Sequence, residues 1–186
     1  DSVYPVLNML NTRYFILPLQ TGQTVPLQNP YTYGNAWFVD KVRYAANANE
    51  ELDALKQIDL RHEAVADMKF QQQLGGSQQQ DTASIVRITS YEPNRLAYDV
   101  NSGKGGVIVF SEIYYPGWTA TVDGEPAELG RVDYVLRALR VEPGQHKVQL
   151  EFFPKTVERT ETVAYIGYLA LLLIIAIALW FSRKRV

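Results

Sequence analysis

The sequence predicts a mainly β protein: a small α+β part, then an antiparallel β-sandwich, then a single C-terminal transmembrane helix. Three observations predict this fold class. Short β-prone segments with turn signals about every 8–12 residues run from Ser84 to Phe153. Residues 1–69 mix β-prone runs with one helical pattern, and residues 163–181 are apolar and carry no charged side chain.

Residues 1–69 are predicted to form a small α+β subdomain. Its predicted elements are strands at Thr12–Leu17, Ala36–Ala45 and Glu63–Asp67 and a helix at Glu50–Ile58. Several prolines break the chain between the first two strands, so residues 18–34 are predicted to be loop. Asn49 is the expected N-cap of the helix, and solvation at the helix start explains the paired carboxylates Glu50 and Glu51.

Residues 70–83 are the predicted linker between this subdomain and the sandwich. They contain six glutamines and the pair Gly75-Gly76, without hydrophobic periodicity. A helical hairpin around the glycine pair is the alternative, and a loop is favoured.

Residues 84–154 are predicted to form a β-sandwich of about seven strands, jelly-roll or immunoglobulin-like. The predicted strands are Ile85–Tyr91, Leu96–Asn101, Val107–Ile113, Trp118–Val122, Ala127–Arg131, Tyr134–Val141 and His146–Phe153. Turn pairs such as Pro116-Gly117 and Asp123-Gly124 separate them. Val107–Phe110 is apolar on both faces and is predicted to be central, whereas Tyr134–Arg140 alternates less cleanly and is placed nearer an edge.

Residues 163–181 are predicted to be a transmembrane helix about 28 Å long. Residues 155–162 form the juxtamembrane segment before it, and a basic tail at 182–186 follows it. Cytoplasmic flanks are rich in Lys and Arg, so the tail is expected inside the cell and residues 1–162 outside. A buried core helix is the alternative interpretation.

Charge and composition narrow the possible partners. The net charge is −2, and residues 1–162 carry −5, which argues against nucleic acid as a partner. There is no cysteine, which excludes disulfides and thiolate metal sites, and no cofactor is expected. The chain begins at Asp1 without a signal peptide, so we interpret it as the C-terminal piece of a longer membrane protein.

A motif between Phe110 and Pro154 resembles a known family. It reads Tyr-Tyr-Pro-Gly-Trp at 114–118, Asp-Gly at 123–124 and Pro-Gly-x-His at 143–146, preceded by similar segments at 7–14 and 34–39. The chain resembles the C-terminal region of the YfhO-like bacterial membrane proteins. The resemblance implies a polytopic protein with about a dozen transmembrane helices, similar to GT-C-type glycosyltransferases that use lipid-linked sugars.

The resemblance also implies where catalysis would occur. The catalytic carboxylate is expected on an early extracytoplasmic loop outside this chain, so no catalytic residue is assigned here. The implied partners are the lipid bilayer, the upstream transmembrane domain of the same protein, and a glycan or polyprenyl-phosphate-sugar.

Two groups of side chains are candidate ligand contacts. Tyr114, Tyr115 and Trp118 could stack on sugar rings, with Glu112 bonding hydroxyl groups; the alternative is that they belong to the core. Arg131 and Arg137 lie on neighbouring predicted strands, and a hairpin could bring them to a phosphate of a lipid carrier. The alternative is surface arginines that are solvated or paired with carboxylates.

Other motifs have simpler explanations. Asp123-Gly124 is interpreted as a hairpin turn rather than a metal or sugar site. His146 is in phase with the apolar face of the last strand and is interpreted as a core residue bonded to backbone. Ser111, Glu112 and His146 do not make a hydrolase motif, because no G-x-S-x-G sequence accompanies them.

Three functional hypotheses follow. The first is a non-catalytic ectodomain of a glycosyltransferase that contacts glycan. The second is a structural or assembly module without a ligand, favoured if Tyr114, Tyr115 and the arginines are buried or scattered. The third is a surface adhesion or receptor domain with a single membrane anchor.

Overall fold

A computed structural model describes residues 4–76, 81 and 83–183 of the chain, with side chains of the last helix described at 160, 163–177 and 180. The chain divides into two compact units, residues 1–152 and residues 153–186. The first unit contains every strand of the described residues, and the second contains the last helix.

The strands of the described residues are β1 Tyr14–Pro18, β2 Thr24–Gln28, β3 Ala36–Val39, β4 Lys41–Ala45, β5 Glu63–Asp67, β6 Ile85–Glu92, β7 Arg95–Ser102, β8 Gly106–Ile113, β9 Trp118–Val122, β10 Glu125–Ala127, β11 Gly130–Val132, β12 Leu136–Val141 and β13 Gly144–Phe152. The helices are α1 Pro5–Met9, α2 Ala48–Ala54, α3 Gln71–Leu74 and α4 Lys155–Arg183, with a 3₁₀ turn at Met68–Phe70.

Three sheets form from these strands. A hairpin pairs β1 with β2, a five-stranded sheet has the order β10-β9-β13-β7-β6, and a six-stranded sheet has the order β3-β8-β12-β11-β5-β4. The five-stranded sheet is antiparallel, whereas β4 and β5 are parallel in the six-stranded sheet. Strands from either side of residues 70–83 therefore share the six-stranded sheet.

The six-stranded sheet is buried on both faces. One face meets the five-stranded sheet, and Ile108, Phe110 and Leu139 pack there against Tyr98, Leu150 and their neighbours. The other face packs against the segments between strands, through residues such as Met9, Leu60, Phe70, Leu74 and Val109. Each such large apolar side chain contributes about 1.5–3 kcal/mol by leaving water.

The structure tests the predicted positions of two strands. Strand β8 lies inside the six-stranded sheet with residues 106–110 buried, which confirms the central position predicted for Val107–Phe110. The edge position predicted for Tyr134–Arg140 is wrong, because β12 pairs with β8 on one side and β11 on the other. The poor alternation of β12 has another cause: its residues are buried on both faces of the sheet.

The sandwich predicted for residues 84–154 makes up only part of the two packed sheets: the described residues of that range form eight strands rather than about seven, and these pair antiparallel with one another as expected. Eleven strands of the described residues make up the two packed sheets, and three of them precede residue 70. The parallel β4–β5 pair also departs from the expected jelly-roll or immunoglobulin-like pattern. The β content and the face-to-face packing of two sheets agree with the prediction.

Several local predictions also need correction. The segment predicted as one strand at Ala36–Ala45 breaks at Asp40, whose N–H bonds to His62 O at 2.7 Å. The run Ala127–Arg131 divides between β10 and β11, and β2 forms within the predicted loop 18–34. Helix α2 begins two residues early, because Asn47 rather than Asn49 caps it by accepting from the N–H groups of Asn49 and Glu50.

The predicted linker contains structure that packs on the core. Residues 71–74 are helical rather than loop, and Phe70 and Leu74 are buried against the six-stranded sheet. The rest of the predicted linker is described only at 75, 76, 81 and 83, so residues 77–80 and 82 lie outside the described residues.

The predicted transmembrane helix at 163–181 is contradicted. Among the described residues no helix combines the length and the apolar character that a membrane crossing requires. Residues 184–186 of the predicted tail at 182–186 lie outside the described residues.

Candidate functional site

Arg137 is a buried arginine between the two packed sheets. The register of β12 against β8 shifts between Leu136 and Arg137, and the Arg137 side chain is only 2% exposed. Its Nη2 lies 3.3 Å from Oε2 of Glu112 on β8, and its guanidinium carbon lies 3.9 Å from the ring centre of Trp118 on β9. A carboxylate and an aromatic face therefore both stabilise the positive charge.

Two tyrosines complete this group, which we name the Arg137 cluster: Arg137, Glu112, Trp118, Tyr91 and Tyr98. Tyr91 Oη donates to Glu112 Oε1 at 3.1 Å, and the Glu112 charge raises the pKa of Tyr91. Tyr98 is buried, and burial, followed by the charge of Glu112, raises the pKa of its hydroxyl. Both tyrosines therefore stay neutral at ordinary pH.

Three polar groups of the Arg137 cluster have no hydrogen-bond partner within the described residues. They are Arg137 Nε, Arg137 Nη1 and Tyr98 Oη, and all three are buried. Burial lowers the pKa of Arg137, while the charge of Glu112 opposes that shift. An arginine remains protonated in proteins, so its free N–H groups could hold a water molecule or a small polar group between the sheets.

Tyr115 lies at the solvent side of the Arg137 cluster. Its ring packs on Phe152 at 6.1 Å between centres, and Phe152 in turn packs on Trp118 at 5.4 Å. Tyr115 itself is 61% exposed. The predicted contacts Tyr115, Trp118, Glu112 and Arg137 therefore form one connected series from solvent to the interior.

Tyr114 is separate from this series. Its ring packs edge-on against Phe70 at 5.7 Å, and it borders the core on the far face of the six-stranded sheet. Its backbone N–H bonds to Val135 O at 2.7 Å. Adjacent residues of an extended segment point to opposite sides, which explains why Tyr114 and Tyr115 diverge.

Arg131 has a carboxylate partner of its own. Its Nη2 lies 2.8 Å from Oε2 of Glu51, its Nη1 donates to Tyr134 O, and its guanidinium stacks on the Tyr134 ring. Glu51 Oε1 also accepts from the Tyr134 N–H at 2.9 Å. Although Arg131 and Arg137 are directly opposite in the β11–β12 ladder, they bind different carboxylates and do not form one anion site.

The expectation that solvation explains Glu51 is therefore wrong. Glu51 is fully buried, and its carboxylate accepts hydrogen bonds from the Arg131 side chain and from the Tyr134 N–H in the turn between β11 and β12. Glu50 does behave as expected for a helix start, with its carboxylate bonded to Asn47 Nδ2 and to the Ala46 N–H.

Asp133 is a buried acid beside this pair. Its Oδ1 accepts from the Val65 N–H at 2.9 Å, its own N–H bonds to Val65 O, and its Oδ2 has no partner within the described residues. Burial raises the pKa of Asp133 to about 7, and Glu51 adds to the shift. Asp133 and Tyr134 both have positive φ, at 50° and 69°, so the turn before β12 is strained.

Asp123 and His146 form a polar contact at the β9–β10 hairpin. Asp123-Gly124 makes the two-residue turn, with both φ angles positive, as the sequence predicts. His146 is half-buried in phase with Val148 and bonds to backbone through Nε2 and Glu142 O, as expected. Its Nδ1 also lies 2.7 Å from Asp123 Oδ2, and this bond raises the pKa of His146 and lowers that of Asp123.

Two large surface cavities lie away from the predicted contacts. One of about 640 Å³ lies beside β3 and β6 and is lined by residues including Tyr33, Asp40, Arg61, His62 and Arg87. The other, about 490 Å³, lies along β6, β7 and β13. None of the six predicted ligand residues lines either cavity.

The sequence reasoning missed four residues of these groups. Tyr91, Tyr98 and Asp133 were not candidates, and Glu51 was assigned to solvent. Only the strand alternation of Tyr98 between Leu96 and Val100 gave a sequence signal, since it puts all three on one buried face. Ligand contact remains a prediction for the six candidate residues Tyr114, Tyr115, Trp118, Glu112, Arg131 and Arg137.

Comparison with known proteins gives one match. The family model of the bacterial membrane protein YfhO matches residues 55–164, more than half of the chain, from the end of α2 into α4. No curated protein and no solved structure matches the chain. The matched region contains both sides of the Arg137 cluster and all of the five-stranded sheet. The chain belongs to the YfhO family of bacterial membrane proteins.

Proposed function

We propose that this chain is a non-catalytic extracytoplasmic module of a polytopic bacterial membrane protein, and that its role is structural. The parent protein would transfer sugars from a lipid carrier to cell-surface glycans, as the resemblance to GT-C-type glycosyltransferases implies. The module would support the assembly of the membrane domain or of a partner and would bind no ligand of its own.

The main support for this proposal is that each of the two candidate arginines is already paired with a carboxylate of the same chain. Arg137 is buried against Glu112 and Trp118, and Arg131 is bonded to the buried Glu51. Tyr114 lies on the opposite face of the sheet from Trp118. A binding site for an anionic sugar carrier needs cations that point toward solvent. Arg131 instead links β11 to α2, and Arg137 links β12 to β8.

A ligand titration tests the structural role. The chain with Trp37→Phe and Trp180→Phe, in which Trp118 is the remaining tryptophan, is placed in lipid nanodiscs and titrated with envelope oligosaccharides and with a polyprenyl-phosphate-sugar while its fluorescence is recorded. We expect no saturable change. A saturable change that disappears in Tyr115→Ala would contradict the proposal.

The extracytoplasmic location has its own test. The chain has no cysteine, so Gln149→Cys on the exposed face of β13 introduces a single thiol. A membrane-impermeant maleimide added to intact cells should label Gln149→Cys, whereas Val148→Cys, buried on the same strand, should react only after unfolding. Labelling of Gln149→Cys only in broken cells would place the module on the cytoplasmic side.

A second candidate function is glycan contact at the Arg137 cluster. It is favoured by the two free N–H groups of Arg137 and by the exposed Tyr115 beside Trp118. In that case a sugar hydroxyl would enter between the sheets and displace whatever solvates these groups. The same fluorescence titration distinguishes the two functions, because only this one predicts saturation.

A further inference from the structure

The hairpin of β1 and β2 has one continuous apolar face. Directly opposite residues of an antiparallel pair share a face, and the register pairs Phe15 with Leu27 and Leu17 with Val25. Leu19 continues the series, since its N–H bonds to Gln23 O at the end of the ladder. We name the set Phe15, Leu17, Leu19, Val25 and Leu27 the apolar hairpin face.

The apolar hairpin face is not covered by any described part of the chain. Leu27 is 54% exposed and Leu17 is 45% exposed, and every β2 residue is exposed. Only Phe15 is half-buried, with its ring 5.7 Å from that of Tyr4. A two-stranded hairpin is marginally stable in water by itself, so the four exposed aliphatic side chains of this face need something to pack against.

The base of the hairpin is nevertheless fixed to the core. Asn29 is buried, and its Nδ2 donates to Asn8 Oδ1 at 2.8 Å and to Thr12 O at 2.9 Å. Asn8 is fully buried beside Met9, whose carbonyl accepts from Ser111 Oγ on β8. The hairpin is therefore held in a set direction rather than attached as a loose arm.

The charge pattern indicates what covers the apolar hairpin face. No Asp, Glu, Lys or Arg occurs between Arg13 and Asp40, and the tip at 20–24 is polar but uncharged. Tyr31 follows the base of the hairpin and is exposed, and Tyr14 is exposed on the opposite face together with Ile16. Tyrosines beside aliphatic side chains are typical of the boundary between lipid headgroups and acyl chains.

We propose that the apolar hairpin face lies in the interface of the lipid bilayer, with the hairpin parallel to the membrane surface. The family is one of membrane proteins, so a bilayer is present wherever the chain occurs. The hairpin lies flat because its outer strand edges carry unpaired backbone groups, which cannot enter the hydrocarbon core. This inference rests on family membership and is independent of the structural role proposed above.

A second copy of this chain is a poorer occupant. Stable interfaces between proteins use about 20–30 residues on each side. The apolar hairpin face offers five side chains on a projecting hairpin, far fewer than a dimer needs. Binding to a lipid interface requires no minimum number of residues, because each aliphatic side chain that inserts contributes separately to the binding free energy.

Spin labelling tests the proposal. Because the chain has no cysteine, each introduced cysteine is the single site that the spin label can modify. Leu17→Cys and Leu27→Cys place labels on the apolar hairpin face, and Ile16→Cys places a control on the opposite face of the same strand. Ile16 is 72% exposed, and its cross-strand partner is Pro26. All three positions are exposed, so the labels leave the fold intact, which far-ultraviolet circular dichroism verifies.

The complete chain is reconstituted into vesicles of phosphatidylethanolamine and phosphatidylglycerol. Collision rates of each label are measured with oxygen, which concentrates in lipid, and with a water-soluble nickel chelate. We expect the oxygen-to-nickel ratio at Leu17→Cys and Leu27→Cys to exceed that at Ile16→Cys by about fivefold or more, since the two reagents partition oppositely.

Two results would overturn the proposal. Equal ratios at all three positions would show that the hairpin stands in water. Labels at positions 17 and 27 that are immobilised and shielded from both reagents would show that protein, either another segment of the parent or a second copy, covers the face.

Discussion

Asp133 shows how one residue can make stability depend on pH. Its pKa in the folded chain is about 7, above the ordinary aspartate value, because burial disfavours the charged form. The folded state therefore binds the proton more tightly than the unfolded state does. The contribution of Asp133 to the free energy of unfolding is fully present below about pH 4. It decreases as the pH rises toward 7 and is constant above that pH.

Asp133→Asn should remove this loss. The amide keeps an acceptor for the Val65 N–H and carries no charge, so we expect the part of the decrease in the free energy of unfolding between about pH 4 and 7 that is due to Asp133 to disappear. At pH 8 the variant should be more stable than the parent by up to about 4 kcal/mol. Urea unfolding followed by circular dichroism at several pH values measures the difference.

Asp123→Asn is the matched control with the opposite sign. Hydrogen bonds from the Lys147 N–H and His146 lower the pKa of Asp123, so its contribution is present at neutral pH and is lost as the pH falls. Asn-Gly still forms the turn. The explanation for Asp133 fails if both variants change stability with the same pH dependence.

Arg137 should be the most sensitive of the predicted ligand residues to truncation. Arg137→Ala removes the charge partner of Glu112 and leaves a cavity where the guanidinium group packs on the Trp118 ring. We expect a loss of about 3–5 kcal/mol in the free energy of unfolding. The double variant Arg137→Met with Glu112→Gln should lose less, because it leaves no buried charge without a partner. A double variant that is no more stable than Arg137→Ala would contradict this account.

At the scale of elements, turn geometry distinguishes two glycines. Gly105 has φ of +70°, and a Cβ there would lie 2.6 Å from the carbonyl oxygen of Val141. Gly124 also has positive φ, +89°, but a Cβ there would meet nothing within 4 Å.

Gly124→Ala should cost about 1–2 kcal/mol for the backbone alone. Gly105→Ala should cost more, because the backbone of β12 must also move. Thermal unfolding of both variants measures the difference, and equal losses would show that the close approach to Val141 is unimportant.

Sequence patterns predicted elements where the local signal was strong. The Asp123-Gly124 turn, strand β9 before it and the central position of β8 follow from turn chemistry and from apolar runs. Strand β2 was missed because Pro26 suggested a loop, and a proline is tolerated there since the hairpin edge is exposed. Helix α3 was expected only as the alternative to a loop, because its stability depends on Leu74 packing against the six-stranded sheet, which glutamine-rich sequence does not reveal.

At the scale of the molecule, early and late segments share one sheet. Strands β3, β4 and β5 precede residue 70, yet they lie in the six-stranded sheet with β8, β11 and β12. Such interleaving depends on pairings far apart in sequence, which local periodicity cannot predict. The Arg137 cluster was only partly predicted for the same reason, because Tyr91 and Tyr98 reach it from strands of the other sheet.

Residues 4–152 should therefore unfold in one transition. Trp37 reports on the six-stranded sheet and Trp118 on the five-stranded sheet, so each can be kept as the only tryptophan by Trp→Phe changes elsewhere. We expect the two denaturant midpoints to coincide, because the sheets share a core. Different midpoints for the two tryptophans would show that the two sheets unfold independently, as separate domains.

We propose that this module of a YfhO-family protein acts through its structure rather than by binding a ligand. The most direct measurement introduces Arg137→Lys, Arg131→Lys and Tyr115→Ala into the complete membrane protein in cells and records its membrane abundance beside the surface glycan. We expect the amount of surface glycan to fall only in proportion to the membrane abundance of each variant. Tyr115→Ala should change neither the glycan nor the abundance. A Tyr115→Ala protein at normal abundance with reduced glycan would contradict it.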